Sequence, residues 1–196
     1  MKKFEELKFD IGALKGISKK TIEEHLKLYA GYVKHSNLIL DHIIELSKDS
    51  EKNAYELGEI QRRFAFEFDG MRNHEYYFKS LEGGVKIMKE ESPLKKAIKE
   101  EWGSVDLWFA RFKTIALTRG IGWAVLYYDP IDKKMINAWI DEQHLGHLTG
   151  LQWIFGIDMW EHSFYLDYAT DKKKYIDAFL DNVNWEVVEE NFKKAQ

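Results

Sequence analysis

The strongest constraint on this chain lies between residues 18 and 81. There apolar side chains recur at helical spacing over two long runs, parted only by the polar stretch DSEKN at 49–53. In the first run Ile22, Leu26, Tyr29, Val33, Ile39, Ile43 and Leu46 form one stripe, and Ser18 stands before it as an N-cap. The second run, from about Ala54 to Leu81, carries Phe64, Phe68, Met71, Tyr77 and Phe78. Long helices with so short a connection pack antiparallel, so the pattern predicts a helical hairpin that ends at Gly83-Gly84.

The rest of the chain mixes types. Ser92-Pro93 opens PLKKAIKEEW as a cap followed by a first-turn proline, Gly103 stops it, and Ser104 caps a further helix to about Thr118. After Arg119-Gly120 the period changes. GWAVLYYD (122–129), KMINAWIDE (134–142) and LQWIFGIDMW (151–160) are short, aromatic and β-branched, and the PIDKK turn (130–134) joins the first two. Helical patterns return near 171–181 and after Asn184. The expected fold is α+β: an antiparallel helical hairpin domain over 1–90, then a domain over 91–196 in which helices surround a three-stranded antiparallel sheet.

Composition narrows the chemistry. With no cysteine, disulfides, thiolate metal sites and thiol nucleophiles are excluded, which suits a reducing compartment. MKKFEELKFD is charged where a secretory leader is apolar, and no apolar run approaches the ~18 residues of a membrane span. A cytoplasmic protein without a membrane partner is expected. A net charge of −4 with dispersed Lys and Arg gives no reason to expect nucleic acid. Aromatics at 15% exceed what a small core needs, so some are expected to line a pocket or an interface.

Of the seven histidines, His35 and His42 stand two helical turns apart with no acid beside them and read as solvated. His144 and His147 form an HxxH pair among Gly, Asp and Thr and read as loop residues. His162 differs in its company. It follows Asp158 by four residues at the end of an aromatic strand, where carboxylate and imidazole can converge on one cation. Such a set suits Mn²⁺, Fe²⁺ or Zn²⁺, and the long helices offer His25 and His74 to complete it. A non-haem iron oxygenase site of two His and one carboxylate is a further reading of the same residues.

DMWEHSFYLDY (158–168) resembles the metal-binding signature of the iron/manganese superoxide dismutases. ISKKTIEEHLKLYAGYV (17–33), GMRNHEYYF (70–78), GWAVLYYD (122–129) and VNWEVV (183–188) resemble further segments of that family in the same order. The resemblance implies an enzyme that converts superoxide to dioxygen and hydrogen peroxide by ping-pong cycling of one Mn or Fe ion. It implies His25, His74, Asp158 and His162 as ligands, with a solvent molecule at a fifth position, and Tyr32, Gln143 and Trp123 as the catalytic surroundings. Gly70 together with Gln143 resembles the manganese arrangement. A homodimer or homotetramer is implied, with Glu161 and Tyr165 at the dimer interface.

The chain departs from the family in places. His25 and Tyr32 are one residue closer than usual, so an ungapped alignment on Tyr32 puts Glu24 at the ligand position. Leu28 replaces a histidine that meets the partner's tyrosine, Thr170-Asp171-Lys172-Lys173 replaces Asn-x-Arg-Pro, and Phe78 replaces a tryptophan. Lys172 is the expected source of local positive charge for an anionic substrate. A metal-binding relative without dismutase activity is the alternative.

Overall fold

A computed structural model describes residues 2–196. Helix α1 (Lys19–Leu46) begins where expected, because the Ser18 hydroxyl accepts the Thr21 amide at 3.1 Å. A short 3₁₀ turn (Ser47–Asp49) reverses the chain into α2 (Ala54–Lys79), and Asn53 Nδ2 closes the connection on the Leu46 carbonyl at 3.0 Å. The predicted hairpin forms. Helices α3 (Pro93–Trp102) and α4 (Val105–Ala116) start on the Ser92 and Ser104 caps.

Strands β1 (Gly122–Asp129), β2 (Lys134–Asp141) and β3 (Gln152–Asp158) form one antiparallel sheet in the order β2-β1-β3. The central strand, buried over all but its last residue, is hydrophobic throughout because helices cover the sheet on both sides. Its first residue has to be glycine. Gly122 has φ 157°, and a Cβ there would lie 2.0 Å from the Ile140 carbonyl oxygen. Trp123 therefore enters the sheet directly between Ile140 on one side and Asp158 on the other.

Three helices follow: α5 (Glu161–Tyr168), α6 (Lys172–Asp181) and α7 (Trp185–Ala195). Sequence periodicity anticipates α6 and α7 but not α5. The core runs without a break from the hairpin into the sheet. Tyr77 of α2 stacks on Phe179 of α6 with ring centres 4.9 Å apart, and Phe155 of β3 stacks on the same Phe179 at 5.9 Å. Each such fully buried aromatic contributes on the order of 1.5–3 kcal/mol, so the helical hairpin and the sheet are held in a fixed relation. Among the described residues no helix is long and apolar enough to cross a membrane.

Candidate metal centre

Four elements meet at one point. Helix α1 is regular throughout, so the seven residues from His25 to Tyr32 make two turns and share a face toward α2. His25 is fully buried on that face. Glu24 turns outward, its side chain 45% exposed and paired with Lys27 at 2.9 Å. The geometry therefore brings in His25 rather than Glu24. His74 projects from α2, Asp158 ends β3, and His162 lies in the first turn of α5.

The donor atoms of His25, His74, Asp158 and His162 all lie within 4.8 Å of one another. Asp158 Oδ2 stands at their centre: His25 Nε2 is 3.1 Å away, His162 Nε2 3.2 Å and His74 Nε2 3.5 Å. Its other oxygen accepts the Trp160 amide at 2.8 Å, which fixes the carboxylate plane. Ser163 Oγ donates to the Asp158 carbonyl at 2.9 Å, tying the start of α5 to the end of β3. Three of the four residues are fully buried, and the side chain of His162 is 22% exposed.

The tautomer of His74 follows from its neighbours. Its Nδ1 lies 2.5 Å from the Gly70 carbonyl, which can only accept, so Nδ1 carries the proton. Burial, reinforced by His25, pushes the ring pKa down to about 3, so the ring is neutral. Its Nε2 is then a bare lone pair, buried without a hydrogen-bond partner and aimed at the Asp158 carboxylate. Burial alone would raise Asp158, yet His162 and His25 hold it well below the usual carboxylate range. A lone pair facing a carboxylate oxygen with no proton between them is unfavourable unless a cation lies between. Three imidazoles and one carboxylate are donors that suit manganese or iron. The residues fit such an ion.

Outside these four, Trp123 Nε1 donates to Gln143 Oε1 at 2.9 Å, and Gln143 Nε2 donates to the Tyr32 hydroxyl at 3.1 Å. The indole can only donate, so it fixes which end of the amide is oxygen. The Tyr32 ring lies 5.1 Å from His74, and Trp123 meets His74 edge-on at the same distance. Phe78 closes the side next to His25, with ring centres 4.9 Å apart. Burial raises the Tyr32 hydroxyl well above the ordinary phenol range, so it stays protonated at neutral pH. His25, Tyr32, His74, Trp123, Gln143, Asp158 and His162 thus form one connected cluster.

Gly70 has two functions here. Its carbonyl orients His74, and its missing side chain admits the Tyr32 ring, which would lie 2.6 Å from a Cβ. Two contacts escaped the sequence reading. Asn73 Nδ2 donates to the Gln143 carbonyl at 2.9 Å, and His147 Nε2 reaches the same oxygen at 3.1 Å. The only sequence signal was the position of His147 four residues after Gln143. His35 and His42 are exposed, as expected. His25 Nδ1 is buried without a hydrogen-bond partner, unlike the second nitrogen of most ligating histidines.

The outer face of α5 is open. Glu161 is exposed, Tyr165 and Leu166 are more than half exposed, and Leu28 of the adjacent α1 is 41% exposed. Lys172 Nζ donates to the Gly120 carbonyl at 3.0 Å and lies 5.8 Å from the Phe164 ring centre.

Residues 90–191 match the family model for iron/manganese superoxide dismutases, C-terminal domain. Similarity to curated proteins extends over nearly the whole chain. A protein of Aquifex aeolicus named as an iron superoxide dismutase is 35% identical over 93% of this chain and 87% of its own length. One of Cupriavidus metallidurans, also named for iron, is 34% identical over 93% and 91%. One of Nocardia asteroides, named for manganese, is 34% identical over 97% and 92%.

Proposed function

The chain belongs to the iron/manganese superoxide dismutase family, and on that premise we propose that it is an oxidoreductase converting superoxide to dioxygen and hydrogen peroxide at one manganese or iron ion. His25, His74, Asp158 and His162 would hold the ion. The observation that carries this reading is the neutral, unpartnered His74 Nε2 directed at the Asp158 carboxylate. When bound, the ion supplies the one-electron exchange that oxidises one superoxide and reduces the next in a ping-pong cycle, with two protons entering the peroxide.

The protein's residues set the conditions for that exchange. Asp158, ionised because His162 and His25 favour its charge, brings the one negative ligand and so favours the higher oxidation state. Gln143 donates to the Tyr32 oxygen, which leaves the Tyr32 O–H free to face water and pass a proton. Trp123 engages the other end of the amide and excludes solvent from the wall beside His74. Gly70 leaves no room for a side chain of its own, and Gln143 supplies the amide instead; this pairing supports manganese as the preferred ion.

The exposed Glu161 and Tyr165, beside the part-exposed His162, support a homodimer or homotetramer that covers this face. A second reading, a metal-binding relative without dismutase activity, is favoured by the unpartnered His25 Nδ1. Metal analysis of the purified protein with superoxide scavenging in manganese- and iron-loaded forms separates the two. His74→Ala and His162→Ala are expected to lose the metal and the activity together. His25→Ala is expected to do the same while Glu24→Ala retains both; the reverse result would overturn the ligand set.

A further inference from the structure

The loop after β2 carries a histidine that is not one of the four clustered metal-binding side chains. His147 has three elements around it. Tyr127 of β1 places its hydroxyl 2.6 Å from Nδ1, the carbonyl of Gln143 lies 3.1 Å from Nε2, and Asp69 of α2 holds Oδ2 4.0 Å from Nε2. The ring of Trp153 on β3 stands 6.1 Å away. A carbonyl only accepts, so Nε2 carries the hydrogen and Nδ1 accepts the Tyr127 hydroxyl proton. Both nitrogens are committed. The HxxH pair therefore leaves His147 no lone pair for a metal ion.

Its partner is what gives this histidine a role. The backbone from Asp141 to Leu145 closes on itself through two hydrogen bonds, Asp141 N to Leu145 O at 2.9 Å and Leu145 N to Asp141 O at 3.1 Å. Glu142 is held from outside, its amide on the Ile121 carbonyl at 3.0 Å and its own carbonyl accepting Trp160 Nε1 at 3.1 Å. Gln143 comes next, and its carbonyl receives two donors from different parts of the fold: Asn73 Nδ2 at 2.9 Å and His147 Nε2 at 3.1 Å. A carbonyl oxygen has two lone pairs, and both are used. The side chain of the same residue spans Trp123 and Tyr32.

The geometry points to His147 as a positioning residue: held by Tyr127, it acts with Asn73 to clamp the Gln143 backbone and so fixes the amide that joins Trp123 to Tyr32. This deepens the dismutase reading and rests on it for the effect on turnover. Removing the Nε2–H leaves the Gln143 carbonyl on Asn73 alone. The carbonyl then has one side-chain anchor instead of two within a loop otherwise held by its backbone bonds, so its peptide plane tilts toward Asn73 and the two side-chain hydrogen bonds lengthen. Residues that orient the surroundings of a metal typically change affinity or activity by about 10–100-fold, and one acting a step further out is expected to give about three- to tenfold.

The test compares His147→Met, which fills similar space without a donor, with His147→Gln, which offers an N–H at similar reach. Manganese-loaded forms are measured for bound metal, for kcat and KM, and for midpoint potential by redox titration. His147→Met is expected to bind the metal fully and to lose about three- to tenfold in kcat with little change in KM. The ratio of oxidised to reduced ion at fixed ambient potential should move by up to about tenfold, 59 mV for a one-electron couple. His147→Gln is expected within about twofold of the parent in both, by the same scale. Equal displacement in Met and Gln variants, or no displacement in a fully loaded Met variant, overturns the inference. Should His147→Met not fold, Asn73→Ala removes the other donor to the same oxygen; it must shift the potential, and an unshifted value overturns the clamp. A parent protein that binds metal but leaves superoxide untouched sinks the dismutase reading alone, because the potentials still report on His147.

Discussion

Gly70→Ala tests the link between backbone and site most directly. In the middle of a helix the change should stabilise by about 1 kcal/mol, because glycine is the weaker helix former. At this position the added Cβ would stand 2.6 Å from Tyr32 Cδ1, 2.7 Å from Cε1 and 3.0 Å from Cγ. Carbon atoms in good contact lie about 3.5–4.0 Å apart, so the ring has to retreat by about 1 Å. Overpacking of this kind costs about 1–3 kcal/mol, which leaves a net loss of about 0–2 kcal/mol. The larger effect falls on activity. The Tyr32 hydroxyl is 3.1 Å from Gln143 Nε2, and about 1 Å of retreat takes it out of hydrogen-bond range. A displacement of that size at a reacting centre can cost about 10²-fold in rate. Urea denaturation gives the stability, and stopped-flow decay of superoxide per bound metal gives the rate, with Tyr32→Phe as the control that removes only the hydroxyl. A variant about 1 kcal/mol more stable with an unchanged rate per metal would refute the reasoning.

Two further outcomes are expected. In metal-free protein the unfolded chain protonates His74 near pH 6.5, while burial holds the folded ring down to about 3. The unfolded state binds more protons between those values, so stability falls as pH drops from about 6.5, with Asp158 adding a loss below about pH 4. Urea midpoints of chelator-treated protein should decline between pH 7 and pH 5 by the equivalent of about 2 kcal/mol; a flat profile excludes the neutral His74 assignment. Lys172→Glu is expected to slow turnover severalfold at low salt and to flatten its salt dependence, since an anionic substrate would meet a reversed local charge. An unchanged low-salt rate removes Lys172 from substrate capture.

The long elements were legible because local signals and burial agree. Ser18, Ser92 and Ser104 cap the helices they precede, and the continuous apolar run of β1 matches its burial between helices. Helix α5 was hidden for a physical reason. EHSFYLDY buries only Ser163 and Phe164, carries aromatics typical of strands, and begins at Trp160 with no side-chain cap. Its four-residue step from Asp158 to His162 was readable as chemistry without being readable as structure. Asn73 and His147 were invisible for another reason. Each acts on the backbone of Gln143 across 70 residues or from within an irregular loop, and no periodic pattern encodes a carbonyl's direction. The shortened spacing between His25 and Tyr32 raised Glu24 as a rival; an unbroken helix turns Glu24 outward into its pair with Lys27.

Trp123 and Asp158 face each other across adjacent strands, so the carboxylate and the anchor of the Gln143 amide are laid down on one stiff plank. The imidazoles arrive on separate helices. A metal ion held there as proposed would swell on gaining an electron, and the helix-borne rings are the part of the cage able to give while the sheet keeps the carboxylate and the indole at one spacing.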